Sequence, residues 1–200
     1  MKLGPRYKIA KRLGASIFEK TQTRAFMLSK ERSAASKKFR RAGSDYSRQL
    51  IEKQKLRLTY SLTERQFSSY VKKALASKAN PQAVLYTFLE SRLDSVIYRM
   101  GLASTRRAAR QIVSHGHVLV NRKRITIPSF QVSKDDVISI REGSKDSGLF
   151  ALLPEKLKEH RAPSWVFFDL VKNEGSFTGT PSLADGETAD IGVVFEFYTR

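Results

Sequence analysis

"SHGHVLVNRKRITIP" (Ser114–Pro128) is where the sequence changes period. Upstream of Gly116 apolar residues recur every three or four positions; from His117 they alternate, and "HVLV", "ITI" and the later "DVISI" read as three short antiparallel strands. Between the first two lies a polar crest, Asn121, Arg122, Lys123 and Arg124, three of its four residues cationic. A helix handing over to a small sheet with a basic hairpin tip predicts an α+β fold. It also raises the question of what the two imidazoles, His115 and His117, are for.

Working outward, Ser104 or Thr105 opens the helix that Gly116 ends. Ala108, Ala109, Ile112 and Val113 share one side of it. Arg107, Arg110 and Gln111 fall opposite, with Arg106 at the edge. Further upstream Asn80 and Pro81 form an N-cap and first-turn proline, and apolar residues run from Leu85 through Met100 to a stop at Gly101. A break capped by Asp94 or Ser95 divides that run into two helices. Thr63 and Gln66 have capping-box spacing ahead of a stripe of Phe67, Tyr70, Val71, Ala74 and Leu75. "SDYSRQLIEKQKLRLTY" (Ser44–Tyr60) spaces Tyr46, Leu50, Ile51 and Leu58 as a helical face, leaving Arg48, Lys53, Lys55 and Arg57 on other faces. Residues 1–43 are basic with weak periodicity and read as an arm, "SKKFRRAG" (Ser36–Gly43) its most cationic part. Downstream, "LFALLPEKL" is a short amphipathic piece, and "WVFFDL", "SFTG" and "IGVVFEFYTR" read as strands.

The 200 residues carry a formal charge of +18, distributed as +15 over residues 1–90, +7 over 91–145 and −4 over 146–200. A chain this cationic repels itself unless a polyanion neutralises it, and the polyanion belongs against the first two-thirds. Without cysteine there is no disulfide and no thiolate metal site, which fits a reducing compartment. No apolar run approaches the ~20 residues of a membrane span, and the basic start "MKLGPRYKIAKRLG" lacks the apolar core of a secretory signal.

For His115 and His117, catalysis lacks a carboxylate orienter, since Asp135 and Asp136 sit in a separate turn, and no nucleophile or phosphate-loop motif accompanies the pair. A metal clip lacks a second ligand cluster. The plain alternative is polar residues ending a helix and starting a strand. Anion recognition has the most support: Arg106 and Arg110, one turn apart, can fork onto phosphate oxygens beside the helix start and the hairpin tip. Together these make a cationic edge suited to a folded RNA.

The run Leu89–Gly143, containing "SRLDSVIYRMGLASTRRAARQIVSHGHVLVNRKR", resembles the RNA-binding module named after small-subunit ribosomal protein S-four. That module also accompanies certain RNA-modifying and RNA-charging enzymes, but residues 1–90 hold no catalytic acid pattern, and the 55 residues after Lys145 are too few for a nucleotide-binding domain. Three further stretches resemble the ribosomal protein family itself, zinc-free kind: "SDYSRQLIEKQKLRLTYSLTERQF" upstream, "WVFFD" after the module, and the ending "EFYTR".

The resemblance implies two domains, a mostly helical N-/C-terminal part with the module, two short helices on a small antiparallel sheet, inserted into it. The segments are expected as a basic arm over 1–43, a helical RNA-binding region over 44–90, the module over 91–145, and a C-terminal helix and strands over 146–200 packing back on the other regions. It implies a structural, non-enzymatic role without cofactor, metal, small-molecule substrate or membrane. The partners would be small-subunit ribosomal RNA at a multi-helix junction, ribosomal protein S-five and neighbouring small-subunit proteins, with messenger RNA nearby. The place would be a bacterial cytoplasm or an organelle ribosome. Carried over by position, the RNA contacts are Arg48, Lys53, Gln54, Lys55, Arg57, Arg106, Arg110, Gln111, His115, His117, Asn121, Lys123 and Arg124, with Arg122 added from the hairpin tip. Arg122 stands where the family usually has glycine, so either the turn is rebuilt or a non-glycine residue takes a positive φ there.

Overall fold

A computed structural model describes residues 3–15, 17–35, 44–145, 147–151, 153–182 and 189–200. It is α+β and divides into two compact units, Met1–Ser77 with Gly186–Arg200, and Lys78–Asp185. Among the described residues no helix is long and apolar enough to cross a membrane.

In the first unit, residues expected as a basic arm form helices α1 (Arg6–Leu13) and α2 (Arg24–Ala35). Ala10, Leu13, Phe18 and Phe26 bury themselves with Leu58. The apolar residues are too sparse to show a period, but they converge on one cluster. "SKKFRRAG" lies outside the described residues. Helix α3 (Asp45–Thr59) starts at Ser44, whose hydroxyl accepts from Ser47 N–H at 3.3 Å, and α4 (Glu64–Leu75) carries the expected Thr63–Gln66 capping box. Phe67, Val71 and Ala74 are buried as predicted, whereas Leu75 is exposed.

The ending "IGVVFEFYTR" is a helix, α9 (Ile191–Tyr198), and not the strand that its β-branched and aromatic residues predict. Asp190 caps it, accepting from Val193 N–H at 3.3 Å. Ile191, Val194 and Phe195 recur at i, i+3 and i+4, are buried, and pack the helix on α3. Tertiary packing overrides propensity here. The same packing changes which face of α3 is inside: Gln49, Lys53 and Leu56 are buried while Tyr46 is exposed.

In the second unit α5 (Pro81–Glu90) begins at Asn80, whose side chain accepts from Gln82 N–H at 3.0 Å. The expected break follows, but α6 (Leu93–Arg99) is not capped by Asp94 or Ser95. Its first donors go to backbone: Leu93 N–H to Phe130 C=O at 2.8 Å and Asp94 N–H to Pro128 C=O at 3.2 Å. The Asp94 carboxylate, relieved of capping, turns inward. Helix α7 (Arg106–Ser114) starts at Thr105, whose hydroxyl accepts from Ala108 N–H at 3.0 Å.

Among the described residues the sheet has five strands in the order β2-β1-β3-β5-β4, all neighbours antiparallel, the strands expected at "WVFFDL" and "SFTG" joining those after Gly116. They are β1 (Val118–Val120), β2 (Lys123–Arg124), β3 (Val137–Ile140), β4 (Val166–Asp169) and β5 (Glu174–Phe177). Strand β2 is formed by the basic crest itself rather than by "ITI". Strands β4 and β5, with α8 (Leu153–Glu159), belong to this unit, so of the 146–200 segment only its last part joins the helical unit. The core gathers Val96, Ile97, Ile112, Val113, Val118, Ile138 and Trp165 between the helices and the sheet.

Candidate nucleic-acid interface

The β1–β2 hairpin closes through Asn121 and Arg122, with Val120 paired to Lys123 and Leu119 to Arg124. Both turn residues have positive φ, 49° and 66°, as a two-residue type I′ turn requires. The turn is therefore not rebuilt around Arg122; the arginine adopts the left-handed conformation. Asn121 secures the loop, its side-chain amide donating to Asp136 Oδ1 at 2.7 Å and its carbonyl oxygen accepting from Val137 N–H at 3.0 Å. With Asn121 so held, Arg122, Lys123 and Arg124 are exposed.

The hairpin is tied to the end of α7. Arg124 Nη2 donates to His115 C=O at 3.1 Å, crossing over Gly116. That glycine has φ +72°, and a Cβ there would meet the guanidinium. One exposed edge thus runs from Arg107 and Gln111 on α7, through His115, to Arg122, Lys123 and Arg124. Arg107 lies outside the expected contact set, although its place one turn before Gln111 on the polar face was readable from the helical period. His115 and His117 stand 5.9 Å apart, ring centre to ring centre, and His117 Nδ1 is 3.0 Å from Ser144 Oγ. Burial, then the neighbouring His115, Arg141 and Arg124, holds the His117 imidazole below its ordinary 6.5. Among the described residues no group of three or more His, Cys, Asp or Glu side chains could hold a metal ion.

The expected Arg106–Arg110 fork does not stand free. Arg106 is buried and donates to Glu90 at 3.2 Å, and Glu90, 0 % exposed, also receives Arg99 through two bonds at 2.7 and 2.9 Å. Arg110 donates to Asp94 Oδ2 at 2.8 and 2.9 Å, and Asp94 receives Arg92 as well. Two interior carboxylates thus hold four arginines of α5–α7, directing the helix start inward as well as outward. A pair of arginines one turn apart looks identical in sequence whether it meets phosphate or buried carboxylate.

On α3 the same sorting occurs. Lys53, expected on a wet face, is buried, 2.9 Å from Glu64 Oε1, with its ammonium 4.2 Å from the Phe197 ring centre. Lys55 meets Glu52 at 2.6 Å, Arg57 meets Glu64 at 3.6 Å, and Arg57 donates to Gln54 at 3.2 Å. Arg48 alone of this group is exposed. Glu64 is central: partial burial raises its pKa, but hydrogen bonds from Lys53 and Tyr198 and the charges of Lys53 and Arg57 prevail and hold it below 4.5.

Two protein families match successive parts of the chain. Residues 2–90 match the family described as ribosomal protein S4/S9 N-terminal domain, and residues 91–138 match the S4 domain, which defines the class: a two-part chain of S4 type. The sequence is 41 % identical over 203 aligned residues to the small ribosomal subunit protein uS4 of Shewanella loihica (strain ATCC BAA-1088 / PV-4), covering 99 % of this chain and 98 % of that one. The chain belongs to the small ribosomal subunit protein uS4 family.

Proposed function

We propose that the chain is a structural, non-enzymatic constituent of the small ribosomal subunit that binds ribosomal RNA directly. It recognises a multi-helix junction in the body of that RNA, nucleates assembly there, and contributes to decoding accuracy by touching ribosomal protein S-five through its C-terminal region. Messenger RNA passes nearby, and the setting is a bacterial cytoplasm, consistent with the source of the relative. The observation that carries the RNA-binding part is the continuous cationic edge of α7 and the β1–β2 hairpin, joined by the Arg124–His115 hydrogen bond. Fixed spacing between a helix and a basic hairpin reads the shape of a folded RNA rather than a lone phosphate. The test is binding to a transcript of the small-subunit junction, across a salt series, against scrambled RNA of equal length. A preference of about a thousandfold at physiological salt is expected. Equal binding with equal slopes would reduce the surface to a generic polycation.

A further inference from the structure

Alongside the cationic edge runs a groove of about 310 Å³. This is at the small end of the roughly 300–1,000 Å³ of ligand sites. Its floor is apolar, made by the buried Leu102, Ala103 and Ile112; Ala108 and Leu149 wall it, and Leu149 is 54 % exposed. Among the described residues its polar side chains are Ser104, Gln111 and the two imidazoles, and no lysine, arginine, aspartate or glutamate lines it. The cations stand just beyond. Arg124 is bonded to the His115 carbonyl, and Arg141 reaches Ser144 Oγ at 3.3 Å, the hydroxyl that also meets His117.

A phosphate pocket needs cations in its lining, and this one has them only on its rim. The arrangement suits a flat, uncharged group attached to a polyanion: the rim takes the backbone, the lining takes the group. Imidazole faces are stacking surfaces for unpaired bases, and a glutamine amide offers both donor and acceptor to a base edge. We infer that the groove receives one unpaired nucleobase of the bound RNA, with His115 and His117 as its stacking wall and Gln111 at its edge. The inference rests on the RNA-binding reading above and adds what that edge recognises besides phosphate.

Two variants of the full chain test it. Ala108→Leu fills the groove from α7 with a strong helix former, and Leu149→Ser removes the exposed apolar wall. Each is titrated against the junction transcript over a salt series, with base-specific chemical probing of the bound RNA. Both should bind about tenfold more weakly, the size of one lost base stack. The salt slope should stay that of the parent protein, because no cation is removed. One unpaired base protected by the parent protein should become reactive with either variant. Parent-like affinity in both variants, or no base whose protection depends on the groove, overturns the inference. If Ala108→Leu fails to fold, Leu149→Ser decides by the same two readings. Failure of the parent protein to prefer the junction over scrambled RNA is a different result, read without any variant, and removes the RNA-binding reading and this inference together.

Discussion

Replacing Asp94 by alanine tests the interior carboxylates most directly. Asp94 accepts from Arg92 Nε at 3.0 Å and Nη2 at 2.8 Å, and Arg92 is 2 % exposed. Arg110, its other partner, has a side chain 29 % exposed and can turn to water once released. Arg92 is buried and cannot, so it loses in the interior the carboxylate that accepts from two of its nitrogens. Breaking a buried pair by removing one partner costs about 3–5 kcal/mol. For a unit of this size each kcal/mol lowers the melting temperature by about 4 °C or more, a drop of about 15 °C in all. Trp165 is the only tryptophan in the sequence and is buried in the core of this unit, so its fluorescence during urea or thermal unfolding follows the unit by itself. Lys145→Ala is the matched control. It removes a 2.8 Å pair with the largely exposed Glu142 and should change stability by less than about 1 kcal/mol. Changing Arg92 to Met and Asp94 to Leu together should recover most of the loss, since apolar replacements of a buried pair are often neutral or better. A loss below about 1 kcal/mol for Asp94→Ala would refute the reasoning and mean that Arg92 is compensated elsewhere.

Three further outcomes follow from the hairpin and the C-terminal helix. Arg122→Gly should stabilise the chain by up to about 1 kcal/mol, by relieving a non-glycine residue at φ 66°, while lowering the log–log salt slope of RNA binding by about 0.7–0.9. A stability gain with no change in slope would remove Arg122 from the contact surface. Gly116→Ala should cost about 1–2 kcal/mol, because alanine is strained at φ +72° and its Cβ drives Arg124 off the His115 carbonyl; urea unfolding with RNA titration checks both effects. Glu64 is held below 4.5, so its contribution is present above that pH and is lost as pH falls through the lower folded value. The acid limb of the stability curve should therefore flatten in Glu64→Gln, and an unchanged limb between about pH 5 and about pH 3, around the ordinary carboxylate range, would exclude the Lys53–Glu64–Tyr198 contact as its source.

What the sequence made legible was whatever depends on local chemistry. The Thr63, Asn80 and Thr105 caps and the stops at Gly101 and Gly116 all follow from a few adjacent residues, as does a hairpin after His117, though its second strand is Lys123–Arg124 and not "ITI". Features set by distant partners did not show. Residues 191–198 are helical because α3 offers a surface for Ile191, Val194 and Phe195, although their composition favours strand. Asp94 does not cap α6 because the carbonyls of Pro128 and Phe130, more than thirty positions away, already do. The candidate site divides along the same line: which residues are cationic is written in the sequence, but which of those cations meet carboxylates depends on packing.

That division changes the expected electrostatics of RNA binding. Taken from sequence, nine cations stand as phosphate ligands: Arg48, Lys53, Lys55, Arg57, Arg106, Arg110, Arg122, Lys123 and Arg124. At about 0.7–0.9 per neutralised phosphate, all nine acting would contribute about 6–8 to the log–log slope. Five of them already face carboxylates: Lys53 and Arg57 on Glu64, Lys55 on Glu52, Arg106 on Glu90 and Arg110 on Asp94. A cation so neutralised holds few condensed counterions on the RNA to release, and its removal acts on folding first. The exposed Arg48, Arg122, Lys123 and Arg124 should then carry about 3 of the slope between them. Changing these four to alanine should flatten the salt dependence by that amount, with a stability cost of about 1 kcal/mol from the lost Arg124–His115 hydrogen bond. Changing Arg106 and Arg110 together should lower stability and leave the slope within about half a unit. If the Arg106–Arg110 pair instead removes about 2 from the slope in a protein that still melts normally, both arginines exchange carboxylate for phosphate on binding, and the inward-facing network is a resting arrangement rather than a permanent one.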